Sequence, residues 1–174
     1  MSSERISLFG GGTSHKVSFT NMDIIISLLG EDVNVQRLFM NKKGETLFGK
    51  LRKHDSLSNK AILSISWPDR GVPTFGGEFW DDLVDILDKE SVKRPINVLF
   101  FCMGGHGRTG SALSIMCSLM DLSVGDPIQW VRDNYCREAV ESVAQKTYIE
   151  EVTGVKSHVT FESKWAGYYK GWNL

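Results

Sequence analysis

Cysteine is sparse in this chain: three residues in 174, at Cys102, Cys117 and Cys136, with no Cys-x-x-Cys pair. An odd, widely spaced set supports neither a disulfide framework nor a four-ligand zinc site. The four histidines (His15, His54, His106, His158) are scattered without metal-ligand spacing, so neither a metal nor a cofactor is expected. Long apolar runs are also missing. The longest, Ile24–Leu29 and Ile96–Cys102, fall far short of the roughly 20 residues that cross a bilayer. Met1-Ser2-Ser3-Glu4-Arg5 leads into no stretch apolar enough for a secretion signal. Neither sign of charge is in excess. Twenty Lys and Arg against 21 Asp and Glu leave a net charge of −1, with no global bias toward nucleic acid or an anionic membrane. Any affinity for anions must come from a local site, and a reducing cytoplasm is the expected compartment.

What is present suits one ordinary domain, 41% hydrophobic and 24% charged, long enough to bury a sizeable core and undivided by repeats or linkers. Residues 1–174 are expected to form a single domain, with a core over about 16–154 and an aromatic-rich tail over 155–174. Asp23-Ile-Ile-Ile-Ser-Leu-Leu29 reads as a buried strand ended by Gly30. Residues 31–60, with Lys42, Lys43, Lys50, Arg52 and Lys53, read as loops with a solvated basic face. Ala61–Trp67 is a second strand stopped by Pro68, and Ile96–Phe101 a third. Between them Phe79, Trp80, Leu83, Val84 and Leu87 recur at helical spacing. An almost unbroken apolar helix follows from Ser111 to Met120. Asp126-Pro127 caps and opens the next helix, and Ser142-Val-Ala-Gln145 has the form of a capping box before a last helix ending near Gly154. Phe161, Trp165, Tyr168, Tyr169 and Trp172 in the tail are expected to pack on the domain. The alternation implies an α/β fold: a central, partly parallel sheet flanked by helices, with its functional loop between strand and helix.

The most informative segment is Phe101-Cys-Met-Gly-Gly-His-Gly-Arg-Thr-Gly-Ser111, between a buried strand and a helix. Unpartnered N–H groups converge at such a turn, and the helix dipole favours negative charge there. Three anion-binding patterns compete for it. Gly105-x-Gly107-x-x-Gly110 matches a dinucleotide fingerprint, but no second strand with a terminal acidic residue follows Met120. A triphosphate-binding loop would need lysine where Ser111 stands. The third pattern, Cys102-x5-Arg108-Thr109, sets a nucleophile and a planar phosphate fork on one turn. Thiols at helix N-termini ionise more readily than free cysteine, and the Thr109 hydroxyl is expected near the sulfur. Cys117 and Cys136, on apolar helix faces, read as core residues.

A second motif, Trp67-Pro-Asp-Arg-Gly-Val-Pro73, closes the strand before the helix. Strand, helix and strand form a βαβ unit, so Asp69 and Cys102 should lie beyond neighbouring parallel strands on one sheet edge. A carboxylic acid facing a thiolate across a phosphate is a general acid–nucleophile pair.

On these two motifs, in this order, the chain resembles the protein-tyrosine/dual-specificity phosphatase superfamily over roughly residues 23–152. The resemblance implies that Cys102 attacks phosphorus to give a phosphocysteine. The loop Met103, Gly104, Gly105, His106, Gly107 and Arg108 would hold the phosphate oxygens. Asp69 would protonate the leaving group and then serve as base for the water of the second step. Gln145 resembles a water-positioning glutamine, and its other reading is the third residue of a capping box. Glu141 stands where such enzymes commonly carry a further glutamine, and Phe101 where they usually carry histidine. No tyrosine-containing loop of the kind that deepens phosphotyrosine pockets is found. The compact length is similar to the dual-specificity and phosphoinositide branches. His106 occupies a position where lipid phosphatases often have lysine, and reads either as a rim residue or as a substrate contact. The expected partner is a phosphorylated substrate, foremost a phosphoprotein. A phosphoinositide, an inositol phosphate or an RNA 5′-phosphate is the alternative, and a phosphate-binding pseudophosphatase the non-enzymatic one.

Overall fold

A computed structural model of the chain describes residues 5–13, 21–30, 61–122 and 125–161. Four strands form one sheet: β1 (Ile6–Gly12), β2 (Ile24–Ser27), β3 (Ala61–Ser64) and β4 (Ile96–Cys102). Their spatial order is β1-β4-β2-β3, and all three pairings are parallel. The helices are α1 (Gly77–Ser91), α2 (Gly107–Leu119), α3 (Pro127–Asn134) and α4 (Val143–Thr153). The fold is thus a single α/β domain on a sheet that is wholly parallel among the described residues. No described helix is long and apolar enough to cross a membrane. The basic segment 31–60 and the tail aromatics Trp165, Tyr168, Tyr169 and Trp172 lie outside the described residues.

Side-chain pattern accounts for each element. The β-branched run Ile24-Ile25-Ile26 is buried throughout, as a strand covered on both faces requires. α1 turns Phe79, Trp80, Leu83, Ile86 and Leu87 into the core at helical spacing. α2 is buried from Gly107 to Cys117 and is the central helix. Asp126 caps α3 by accepting from the N–H groups of Ile128 and Gln129, and its other oxygen accepts from Ser157 Oγ and the His158 N–H. α4 ends on Gly154 in the left-handed conformation, φ 71°. Phe161 packs on the core beneath the Arg132 guanidinium, 5.5 Å from its ring centre.

Two expectations need correction. The sheet begins ten residues before the expected core, because β1 pairs with β4 in register from Ile6↔Ile96 to Gly12↔Cys102. The strand of Asp69 is also not the neighbour of the strand of Cys102: β2 pairs with both β3 and β4 and lies between them. All the strands still point the same way, so their carboxyl ends share the edge from which α2 departs.

Candidate active site

Cys102 is the last residue of β4 and is 2% exposed. The turn after it is folded so that the Gly105 N–H donates to Cys102 Sγ at 3.2 Å. The turn then runs into the first residues of α2, whose Gly110 N–H donates to the His106 carbonyl at 2.8 Å. Gly105 has φ +80°, and a β-carbon there would also come within 2.9 Å of the Gly11 and Gly12 backbone. Only glycine satisfies both conditions.

The glycines of β1 are the half of this arrangement that sequence reasoning missed. A β-carbon on Gly12 would lie 2.5 Å from the Gly104 carbonyl carbon, so the end of β1 and the turn after β4 touch backbone to backbone. A β-carbon on Gly10 would meet the Tyr135 ring. The Tyr135 hydroxyl donates to the Gly105 carbonyl at 2.6 Å, and burial pushes its ionisation well above the ordinary tyrosine range. A Gly-Gly-Gly run closing an alternating Ile6/Leu8 segment was the available signal. Gly12→Ala is expected to displace the loop and lower kcat/KM by about 10²-fold, the scale of a misplacement near 1 Å. Because the clash is with backbone atoms, a lower melting temperature should accompany the loss, and an unchanged kcat/KM would contradict this packing.

Arg108 lies in the first turn of α2 and is 8% exposed. Its Nη1 donates to the carbonyls of Trp67 at 3.2 Å and Leu28 at 3.4 Å, and its Nη2 pairs with Asp69 Oδ1 at 3.1 Å. One guanidinium therefore fastens the start of α2 to the segments that follow β2 and β3. The Asp69 turn is anchored from below. Trp67 is buried edge-on against Trp80 and Tyr148, at 6.0 and 5.9 Å, and its Nε1 donates to the Gly71 carbonyl. Arg70 completes the turn with φ 55°. The Asp69 side chain is 75% exposed although its Oδ1 is paired with Arg108.

The remaining expected residues fall in four places. The Thr109 hydroxyl donates to the Gly11 carbonyl at 3.1 Å, tying α2 to β1. The His106 ring sets Nδ1 3.0 Å from Cys136 Sγ. Cys136 follows α3 rather than lying on its face; it packs half-buried against the core and contacts the loop, whereas Cys117 is fully buried and its thiol is pushed up to about 12 by burial. Met103 stands out at the rim. Gln145 is fully buried: its N–H donates to Ser142 Oγ, and its Oε1 accepts from the Glu141 N–H rather than from the cap residue of an ordinary capping box.

No family model matches the chain. Over 94 residues it is 38% identical to an uncharacterized protein of Methanocaldococcus jannaschii, covering 54% of this chain and 56% of that protein. A second uncharacterized protein of the same organism is 41% identical over 89 residues, covering 51% and 57%. The chain thus matches little more than half the length of these curated relatives. Among solved structures it is similar to Tk-PTP in the active form, with TM-score 0.59 and 20% identity over 87% of this chain and 93% of the other. It is also similar to PTPMT1 in complex with PI(5)P, with TM-score 0.50 and 14% identity over 77% and 78%. The fold is that of these protein-tyrosine-phosphatase-type structures.

Proposed function

We propose that the protein is a phosphomonoester hydrolase that works through a phosphocysteine on Cys102. The observation that carries this reading is the convergence of a thiol, a donated N–H, a guanidinium and a carboxyl group on one helix N-terminus. Cys102 Sγ attacks phosphorus in line and the bond to the leaving oxygen breaks. The N–H groups of the loop and Arg108 hold the equatorial oxygens, where charge-assisted bidentate contacts are strongest. Asp69 delivers its proton to the departing oxygen. Water then cleaves the S–P bond, releasing inorganic phosphate and the thiolate. A phosphate binder would need neither the nucleophile nor the acid, so the pseudophosphatase alternative leaves two residues without purpose.

A phosphorylated protein side chain is the substrate class that best suits the site. Positions 103–107 carry no lysine or arginine to receive a second phosphate, and the one ionisable ring among them, His106, is set against Cys136. An exposed rim at Met103 and an exposed Asp69 leave the nucleophile reachable by a protruding phosphorylated residue. The likeness to PTPMT1 with PI(5)P makes a phosphoinositide the comparison to run. Phosphotyrosyl and phosphoseryl peptides, a phosphoinositide and a 5′-phosphorylated RNA should be assayed together. The expected result is the highest kcat/KM on a phosphopeptide. A higher value on the lipid or RNA would reassign the substrate, and no hydrolysis of any of them would overturn the reading.

A further inference from the structure

The segment before α4 is held unusually firmly against the phosphate loop. Val140, a β-branched residue, has φ 62°, a conformation such side chains rarely adopt. Arg132 grips this segment, donating from Nε to the Ala139 carbonyl at 2.9 Å and from Nη2 to the Val140 carbonyl at 3.1 Å. The Val140 N–H in turn approaches the His106 carbonyl at 3.4 Å. Ser142 Oγ donates to the Arg70 carbonyl at 2.8 Å, so the same segment also touches the turn of Asp69. Glu141 lies between those two attachments.

Its carboxylate rests on the phosphate loop. A β-carbon placed on Gly107 would collide with Glu141 Oε2 and come within 3.0 Å of Cδ, and Gln145 Nε2 would lie 3.1 Å from the same point. Gln145 is fully buried, yet its Nε2 has no hydrogen-bond partner among the described residues. A buried amide donor without an acceptor is unfavourable and calls for a water or a ligand oxygen. The donor and the carboxylate converge on one face of Gly107, beside the N-terminus of α2. Asp69, in contrast, has Oδ1 engaged with Arg108.

We propose that Glu141 is the general base of the second half-reaction, with Gln145 Nε2 holding the attacking water or a phosphoryl oxygen beside it. The inference rests on the phosphocysteine reading above and divides the labour between two carboxyl groups, Asp69 as acid and Glu141 as base. The water oxygen bonds to phosphorus while the S–P bond breaks and its electron pair returns to Cys102 Sγ. The water proton passes to the Glu141 carboxylate, and the products are hydrogen phosphate, thiolate and a protonated Glu141. Glutamine at this position could orient a water but could not take its proton, so the carboxylate adds a chemical role.

Glu141→Gln retains shape and removes basicity. With an activated aryl phosphate, whose first step needs little acid assistance, this variant should release one equivalent of aryl alcohol per enzyme in a burst. Steady-state kcat should then fall by about 10²-fold or more while kcat/KM, which reports phosphoenzyme formation, stays near the wild-type value. Phosphoenzyme should accumulate in acid-quenched samples, and Glu141→Asp should recover part of kcat. An unchanged kcat without a burst in Glu141→Gln would overturn the proposal. So would a parallel fall in kcat and kcat/KM, which would place Glu141 in the first step or in folding. Failure of the underlying reading looks different: wild-type enzyme that turns over substrate would then carry no phosphoryl group on Cys102 in the same quench.

Discussion

Cys102→Ser is expected to abolish turnover, by a factor on the order of 10⁶, while leaving fold and phosphate affinity nearly intact. The substitution exchanges one small buried atom for another at the end of β4, so the strand, the loop and α2 have no reason to move. The loop N–H groups, Arg108 and the helix end continue to hold phosphate, and the loss falls on the chemical step alone. A serine hydroxyl at neutral pH is not ionised and is a far weaker nucleophile than a thiolate. Vanadate should inhibit the wild-type protein competitively, because the same donors suit a trigonal-bipyramidal oxyanion. Substantial activity in the purified variant would remove Cys102 from the mechanism.

Asp69→Asn is expected to lose about 10²–10⁴-fold in kcat/KM with a tyrosyl or alkyl phosphate, the range typical of general acid catalysis. With an activated aryl phosphate the loss should be much smaller, since that leaving group departs without a proton. The Trp67 anchor against Trp80 and Tyr148 does not involve the Asp69 carboxylate, so the turn should survive the change. Arg108 does lose its ion-pair partner, but its contacts to the Trp67 and Leu28 carbonyls remain. Equal losses for both leaving groups would remove Asp69 from the acid role and leave it only a part in setting Arg108.

The residues legible in the sequence are those whose positions depend on short stretches of chain. Cys102 and Arg108 sit on one strand–turn–helix, and β4 and α2 are strongly apolar, so local pattern sufficed. Asp126 and Ser142 were readable for the same reason, as caps are decided within one turn. β1 was not legible. Three of its seven residues are glycines, which are poor strand formers, and only their contact with Gly104, Gly105 and Tyr135 explains their presence. The insertion of β2 between β3 and β4 is likewise a long-range pairing that no local signal encodes. The partner of the Thr109 hydroxyl was not legible because the carbonyl it binds belongs to that unseen strand. His106 and Cys136 were read separately, since thirty residues of chain separate partners that meet in space. Tyr135, at the end of a short amphipathic helix, is indistinguishable from a packing aromatic until its hydroxyl is found on the Gly105 carbonyl.

The central claim is the covalent intermediate, and trapping it is the most direct test. Wild-type protein mixed with an excess of activated aryl phosphate should be quenched in acid within the first turnovers, digested and analysed by mass spectrometry. A single phosphoryl group on the peptide carrying Cys102, absent in Cys102→Ser, is the predicted result. Turnover with the phosphoryl group on another residue, or with none on any peptide, would contradict the account.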